Sequence, residues 1–297
     1  MINLQIDLGH YNIKTNMGII FRSTFKKGKE INPFGEDIIF VENEYYTMEK
    51  GSFDNTNNKA LKNYKPNLCY AIAKSIDTTE ADINLMLGIP LDSLGAFDLF
   101  KEELLHQTLE FEYNKIPYKI YINDIKAVGE GISSYYTLSE KQRSEDLLIV
   151  DIGGRTTNVV TFEKGKLTHK FTIPLGTIHL FSRIGTRFNN DEGSNKVVEE
   201  IERLIDNGYI KNTEIEEKQF LNDIMNYIEG KVDRRTYKNY YTGGGSLRLK
   251  RLIEEYLSPF GVVMDNPLFT NVKGNEIIAN MIWRDWQWLT EKELAYI

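Results

Sequence analysis

The run Leu147-Leu148-Ile149-Val150-Asp151-Ile152-Gly153-Gly154-Arg155-Thr156-Thr157-Asn158-Val159-Val160 constrains the fold more than any other stretch of the chain. Four apolar β-formers lead into an acid, a glycine-rich turn follows, and a second β-branched run begins, which reads as a buried strand, a tight turn and a return strand. An acid at the end of a buried strand, facing paired glycines whose N–H groups can converge on an anion, suits a phosphate and its Mg²⁺. A single copy also fits a plain hairpin in which Asp151 is a turn residue, because Asp and Gly are common turn formers.

The same grammar occurs again at Leu4-Gln5-Ile6-Asp7-Leu8-Gly9-His10-Tyr11-Asn12-Ile13-Lys14, where an apolar strand delivers Asp7 and Gly9 follows two residues later. Two such hairpins can grip a phosphate chain from opposite sides. At 297 residues the chain can form one large domain or two of ordinary size, and the split repeat favours two. Lys14 is either a cation within reach of a β-phosphate or a solvent-facing lysine of an alternating strand.

Two further stretches carry chemistry. Residues 125–136 (Ile-Lys-Ala-Val-Gly-Glu-Gly-Ile-Ser-Ser-Tyr-Tyr) read as a strand end, a loop and a helix start, with Glu130 in the first helical turn. Its carboxylate either complements the helix dipole or faces a ligand and orients an attacking water. In Asn239-Tyr240-Tyr241-Thr242-Gly243-Gly244-Gly245-Ser246, three glycines precede a strong helix, where backbone can approach a ligand closely and offer N–H groups to an anion. A flexible loop with Ser246 as N-cap is the alternative.

Other classes are excluded by composition and motif. Lys plus Arg number 36 against 43 Asp plus Glu, net −7, which argues against direct nucleic-acid binding. The single Cys69 rules out a disulfide framework or a Cys-rich metal site, and the four histidines show no ligand spacing. There is no GxxxxGK[ST] and no GxSxG. No apolar run approaches a membrane span and no leader pattern opens the chain, so a cytoplasmic protein is expected.

Strand-like segments are expected at 4–14, 18–22, 37–41, 45–48, 82–90, 109–113 and 118–122, with turns at Gly28 and Asn32-Pro33. Helical patterns cover 57–76 and 97–105, and the polar segment 139–145 reads as a crossing between lobes. Beyond the central hairpin, helices are expected at 194–209, with Val197, Val198, Ile201, Leu204 and Ile205 on one face, and through Phe220–Ile228. A turn and helix follow at 265–280, and Trp283, Trp286 and Trp288 cluster near the end, either as an interfacial anchor or as packing residues.

In order, 7–14, 127–136, 147–160, 241–246 and 266–280 resemble the five nucleotide-site motifs of the superfamily of actin, heat-shock chaperone ATPases and sugar kinases. Within it the chain is similar to bacterial actin-like proteins of plasmid segregation, the ParM type, most visibly at Asn266-Pro267-Leu268-Phe269-Thr270-Asn271-Val272-Lys273-Gly274. The resemblance implies an α/β, two-lobed actin-like fold of duplicated ribonuclease H-like domains with a nucleotide cleft between the lobes. The first lobe would span 1–140, completed by about 266–297, and the second 146–265, with its outer part reduced.

Carried over motif by motif, the resemblance gives Asp7 and Asp151 to a hydrated Mg²⁺. Gly9, Asn12, Lys14, Gly153, Gly154 and Thr156 would cradle the phosphates of ATP or GTP, Gly243, Gly244 and Gly245 would line the nucleoside side, and Glu130 would position the water. It further implies nucleotide hydrolysis coupled to head-to-tail polymerisation, and a small DNA-binding adaptor at a plasmid centromere-like site. A membrane-associated scaffold of the division or pilus-assembly type is the alternative on the same fold.

Overall fold

A computed structural model of the chain describes residues 1–28, 35–53, 63–257, 259 and 261–283. They divide into two units, Met1–Thr137 together with the segment from Phe269 onward, and Leu138–Leu268. The expected turn at Asn32-Pro33, the start of the 57–76 helix, and Trp286 and Trp288 lie outside the described residues.

The first unit is built on a nine-stranded sheet. Its strands are β1 (Ile2–Leu8), β2 (Asn12–Thr15), β3 (Ile20–Arg22), β4 (Phe25–Lys27), β5 (Ile38–Val41), β6 (Glu44–Met48), β7 (Glu80–Ile89), β8 (Thr108–Tyr113) and β9 (Ile116–Gly129), in the order β3-β2-β1-β7-β9-β8-β5-β6-β4. β1, β7 and β9 run parallel at its centre; Leu4–Leu8 is buried throughout although Gln5 and Asp7 interrupt its apolar residues, and the more continuous apolar run Ile83–Ile89 is buried as parallel strands covered on both faces require. The β5–β6 and β8–β9 hairpins turn through Glu42-Asn43 and Asn114-Lys115, all four at positive φ, the mirror-image turn whose twist matches its flanking strands.

Two details depart from the sequence expectation. The segments at 118–122 and 125–129 form one strand, because a bulge at Asn123 absorbs a residue against Ile83-Asn84 of β7, and Asn123 Nδ2 donates to Asn84 Oδ1 at 2.9 Å. The short β4, pairing with β6, was not foreseen. Helix Lys65–Ser75 starts with Pro66 in its first turn and is buried over most of its length, while helix Thr270–Trp283 packs against β1 and β7.

The second unit holds β10 (Leu147–Ile152), β11 (Thr157–Glu163), β12 (Lys166–Ile173), β13 (Lys238–Thr242) and β14 (Gly261–Val263), in the order β12-β11-β10-β13-β14. β10 pairs antiparallel with β11 and parallel with β13, and all six of its residues are buried. This order repeats β3-β2-β1-β7-β9 step for step, two antiparallel pairings followed by two parallel ones. The duplication that the two hairpins suggested therefore extends over five strands of each unit.

Around this sheet lie helices Thr177–Glu192, Val198–Asp206, Glu214–Glu229, Gly243–Arg248 and Lys250–Tyr256. The first two cross closely because Gly185 has no side chain, and the fully buried Ile201 lies 3.0 Å from where its Cβ would be. The polar segment 139–145 is a single helical turn, Glu140–Arg143, closed by a capping box between Ser139 and Gln142.

Candidate functional site

In the first unit, Asp7 sits near the carboxyl end of β1, opposite Lys14 on β2 and Gly88 on β7. Period-two alternation points Asp7 and Gln5 to the same face of the sheet. Asp7 is 3% exposed, and Lys14 Nζ lies 3.1 Å from its Oδ2, so Lys14 is held against the carboxylate rather than facing solvent. Gly9 opens the turn, where a Cβ would lie 2.2 Å from the Asn12 carbonyl oxygen, a contact no side chain can make. The hairpin thus brings Asp7, Gly9, Asn12 and Lys14 together at one sheet end.

Glu130 follows β9 directly, its N–H donating to the Ile89 carbonyl at 2.9 Å. Gly131 takes φ +83° as N-cap of the short helix Ile132–Tyr135, so Glu130 stands just before the helix and not in its first turn. The following residues are pinned by Asn271, whose Oδ1 accepts from Gly131 N–H at 3.0 Å, Ser133 Oγ at 3.0 Å and Ser134 Oγ at 2.7 Å.

In the second unit, Asp151 is the last residue but one of β10, with Asn158 and Thr242 opposite, and is also 3% exposed. Gly153 N–H closes the loop onto the Thr156 carbonyl at 2.9 Å. The start of helix Thr177–Glu192 then donates to the loop, Thr177 N–H to the Gly153 carbonyl at 3.0 Å and Ile178 N–H to the Gly154 carbonyl at 2.8 Å. In a planar trans peptide the C=O and N–H point opposite ways, so the N–H groups of Gly154 and Arg155 face away from that helix, where an anion can take them.

His179 completes this support. Its Nδ1 accepts from Gly176 N–H at 3.1 Å. Burial, with the Arg155 and Arg183 guanidiniums nearby, holds its imidazole below the ordinary 6.5.

The three glycines are not a loop ahead of a helix but its first residues, since Gly243–Arg248 is helical from Gly243. Gly243 has φ +85°, and a Cβ there would lie 2.4 Å from both Asp151 Oδ1 and the Ile152 carbonyl. Its N–H and the Thr242 hydroxyl both donate to the Pro267 carbonyl, at 3.0 and 3.1 Å. Gly245 presses on Ile152 in the same way, whereas a Cβ on Gly244 would meet only Leu268 Cδ2 at 3.5 Å.

Each unit thus carries one buried carboxylate at a strand end beside a backbone turn that needs glycine. No cluster of three or more His, Cys, Asp or Glu able to hold a metal occurs among the described residues. A single buried carboxylate beside a backbone turn is a ligand type that suits Mg²⁺, which keeps several waters and takes one or two carboxylates plus substrate phosphates. Sequence reasoning missed Gly176, His179 and the Asn271 anchor; a glycine just before a helix, and an asparagine in its first turn, were the available signals.

No family model matches the chain, and no curated protein matches it by sequence. Solved structures do. An archaeal actin homolog is 17% identical over 94% of this chain and 99% of its own, with a TM-score of 0.81. The same protein in complex with ADP gives 16%, 94%, 99% and 0.79. A ParM protein from a 15-stranded filament of Clostridium botulinum is 18% identical over 95% of this chain and 100% of its own, with a TM-score of 0.80. The chain has an actin-like α/β fold.

Proposed function

We propose that the chain is an actin-like nucleoside triphosphatase that binds ATP or GTP with Mg²⁺, polymerises head to tail in response, and moves plasmid DNA through a DNA-binding adaptor. The observation that carries this reading is the duplicated hairpin, each copy delivering a 3% exposed aspartate beside a glycine turn. Two similar folds of matching length support it, a ParM protein solved as a filament and an archaeal actin homolog solved with ADP. The net charge of −7 gives the DNA contact to a basic partner rather than to this chain.

In this reading Asp7 and Asp151 hold the hydrated cation, and the N–H groups of Gly154 and Arg155 take phosphate oxygens, with Gly9, Asn12, Gly153 and Thr156 shaping the two turns. Lys14 moves its charge from Asp7 toward the phosphates. Gly243 and Gly245 keep the helix start against β10, which leaves Gly244 open toward the nucleoside. Glu130 accepts a hydrogen bond from water and orients it on the γ-phosphorus; the water oxygen bonds to that phosphorus as the bond to the bridging oxygen breaks, the water's proton is released to solvent by way of Glu130 or the product phosphate, and nucleoside diphosphate and phosphate leave. Bound Mg²⁺ supplies neutralisation of charge on the phosphate oxygens.

No observation favours the membrane-scaffold alternative. Trp283 Nε1 donates to Asp124 Oδ2 at 3.0 Å, which makes it a packing residue of the first unit. Among the described residues no helix is long and apolar enough to cross a membrane.

Light scattering and electron microscopy of the purified chain test the proposal. Filaments that appear with Mg²⁺ and ATP or GTP, and not without nucleotide, are expected. A chain that stays monomeric at high concentration with either nucleotide contradicts it.

A further inference from the structure

Helix Thr270–Trp283 carries a second asparagine one turn beyond Asn271. Asn275 is fully buried, and neither its Oδ1 nor its Nδ2 has a hydrogen-bond partner among the described residues. An orphaned carboxamide inside a well-packed unit costs stability, and each such group calls for a partner, whether water, an ion or a ligand's shell. The space it borders is defined by Gly88 of β7. A Cβ at that position would lie 3.5 Å from Asn275 Nδ2 and 3.6 Å from both Cβ and Oδ1 of Asp7. The gap over Gly88 is therefore bordered by both the Asn275 carboxamide and the Asp7 carboxylate. Gln5, 1% exposed on the same face of β1 as Asp7, adds an Oε1 that is also buried without a partner among the described residues.

We propose that Asn275 is a positioning residue for the cation at Asp7: across the gap over Gly88, its carboxamide holds a water of that cation's hydration shell and fixes the Asp7 carboxylate. The inference rests on the reading of Asp7 as a Mg²⁺ site and adds to it a group that reaches the cation only through water. Mg²⁺ retains most of its waters, so outer groups that orient those waters control its affinity. Asn271 and Asn275 lie four residues apart on one helix face. One helix therefore sets both the segment after Glu130 and the surroundings of Asp7, which explains a polar face on a helix packed against a sheet.

The test uses the full-length chain, Mn²⁺ as the probe in the presence of ADP, and electron paramagnetic resonance to count bound metal. Asn275→Leu removes the orphaned amide, so its ligand-free thermal midpoint is expected to rise while Mn²⁺ affinity falls at least about tenfold. Gly88→Ala fills the gap at ordinary contact distances, so it is expected to fold as the wild type does and to show the same loss. If Asp7→Asn loses Mn²⁺ but Asn275→Leu and Gly88→Ala bind it as the wild type does, the role of Asn275 is overturned and the Asp7 site stands. If the wild type binds no Mn²⁺ with ADP, or Asp7→Asn binds it as tightly as the wild type, both fall.

Discussion

The glycine triplet offers the sharpest separation of structural from ligand-facing roles. Gly243→Ala places a Cβ 2.4 Å from Asp151 Oδ1 and from the Ile152 carbonyl, on a backbone at φ +85°. An L-residue in the left-handed region costs about 1–2 kcal/mol, and forcing atoms into a packed site costs about 1–3 kcal/mol. The sum, about 2–5 kcal/mol, is a large share of the roughly 5–15 kcal/mol that holds a typical protein folded. At an m value of about 2 kcal/mol per molar urea, the unfolding midpoint should fall by about 1–2.5 M.

Gly244→Ala is the control within the same turn. Its Cβ meets only Leu268 at an ordinary 3.5 Å, and replacing a helical glycine by alanine gains about 0.5–1 kcal/mol. Its midpoint should hold or rise while nucleotide affinity, read by fluorescence titration, drops about tenfold, the scale of about 1.4 kcal/mol. A Gly243→Ala midpoint equal to that of the wild type would refute the reasoning, as would equal destabilisation by both substitutions.

His179 makes the second unit sensitive to acid. Its folded value lies below the ordinary 6.5, so the unfolded chain takes up the proton first as pH falls. Its contribution is therefore full above about pH 6.5 and is lost as pH drops toward the folded value. Thermal midpoints at pH 7.5 and 5.5 should differ more for the wild type than for His179→Gln; equal differences would remove His179 from this role. Lys14→Met strips a cation from buried Asp7 and should cost about 3 kcal/mol, and Mg²⁺ alone should then raise the variant's midpoint more than the wild type's. Glu130→Ala should keep nucleotide-triggered scattering yet slow phosphate release at least about 100-fold; unchanged release would show that Glu130 does not position the water.

The sheet centres were legible because β-branched runs ending in an acid and a glycine recur, and both copies lie where the fold duplicates its strand order. Local periodicity also located helices Lys65–Ser75, Val198–Asp206 and Glu214–Glu229, though ends shifted by several residues because capping and packing set them. β4 escaped because a three-residue edge strand has too little alternation to register. The bulge at Asn123 escaped because only pairing with β7 reveals the extra residue.

The same limit applies to the site. Asp7, Gly9, Asn12 and Lys14 share one hairpin, so their proximity follows from chain order. Asn271 meeting Gly131, or Asn275 bordering Gly88, joins residues more than a hundred apart, which no spacing rule reaches. Lys14 shows the converse, since an alternating strand suits either a solvent-facing or a paired lysine and only the tertiary contact with Asp7 decides.

The central claim is that the Asp7 hairpin and the Asp151 hairpin serve one metal-bound nucleotide. Calorimetric titration of Mg²⁺ with a non-hydrolysable triphosphate into the wild type, Asp7→Asn, Asp151→Asn and the double variant tests it most directly, with circular dichroism confirming that each folds. The account predicts one nucleotide per chain, at least about tenfold weaker binding for each single variant, and a double variant whose loss is not the sum of the two. Binding by either single variant with wild-type affinity would contradict it.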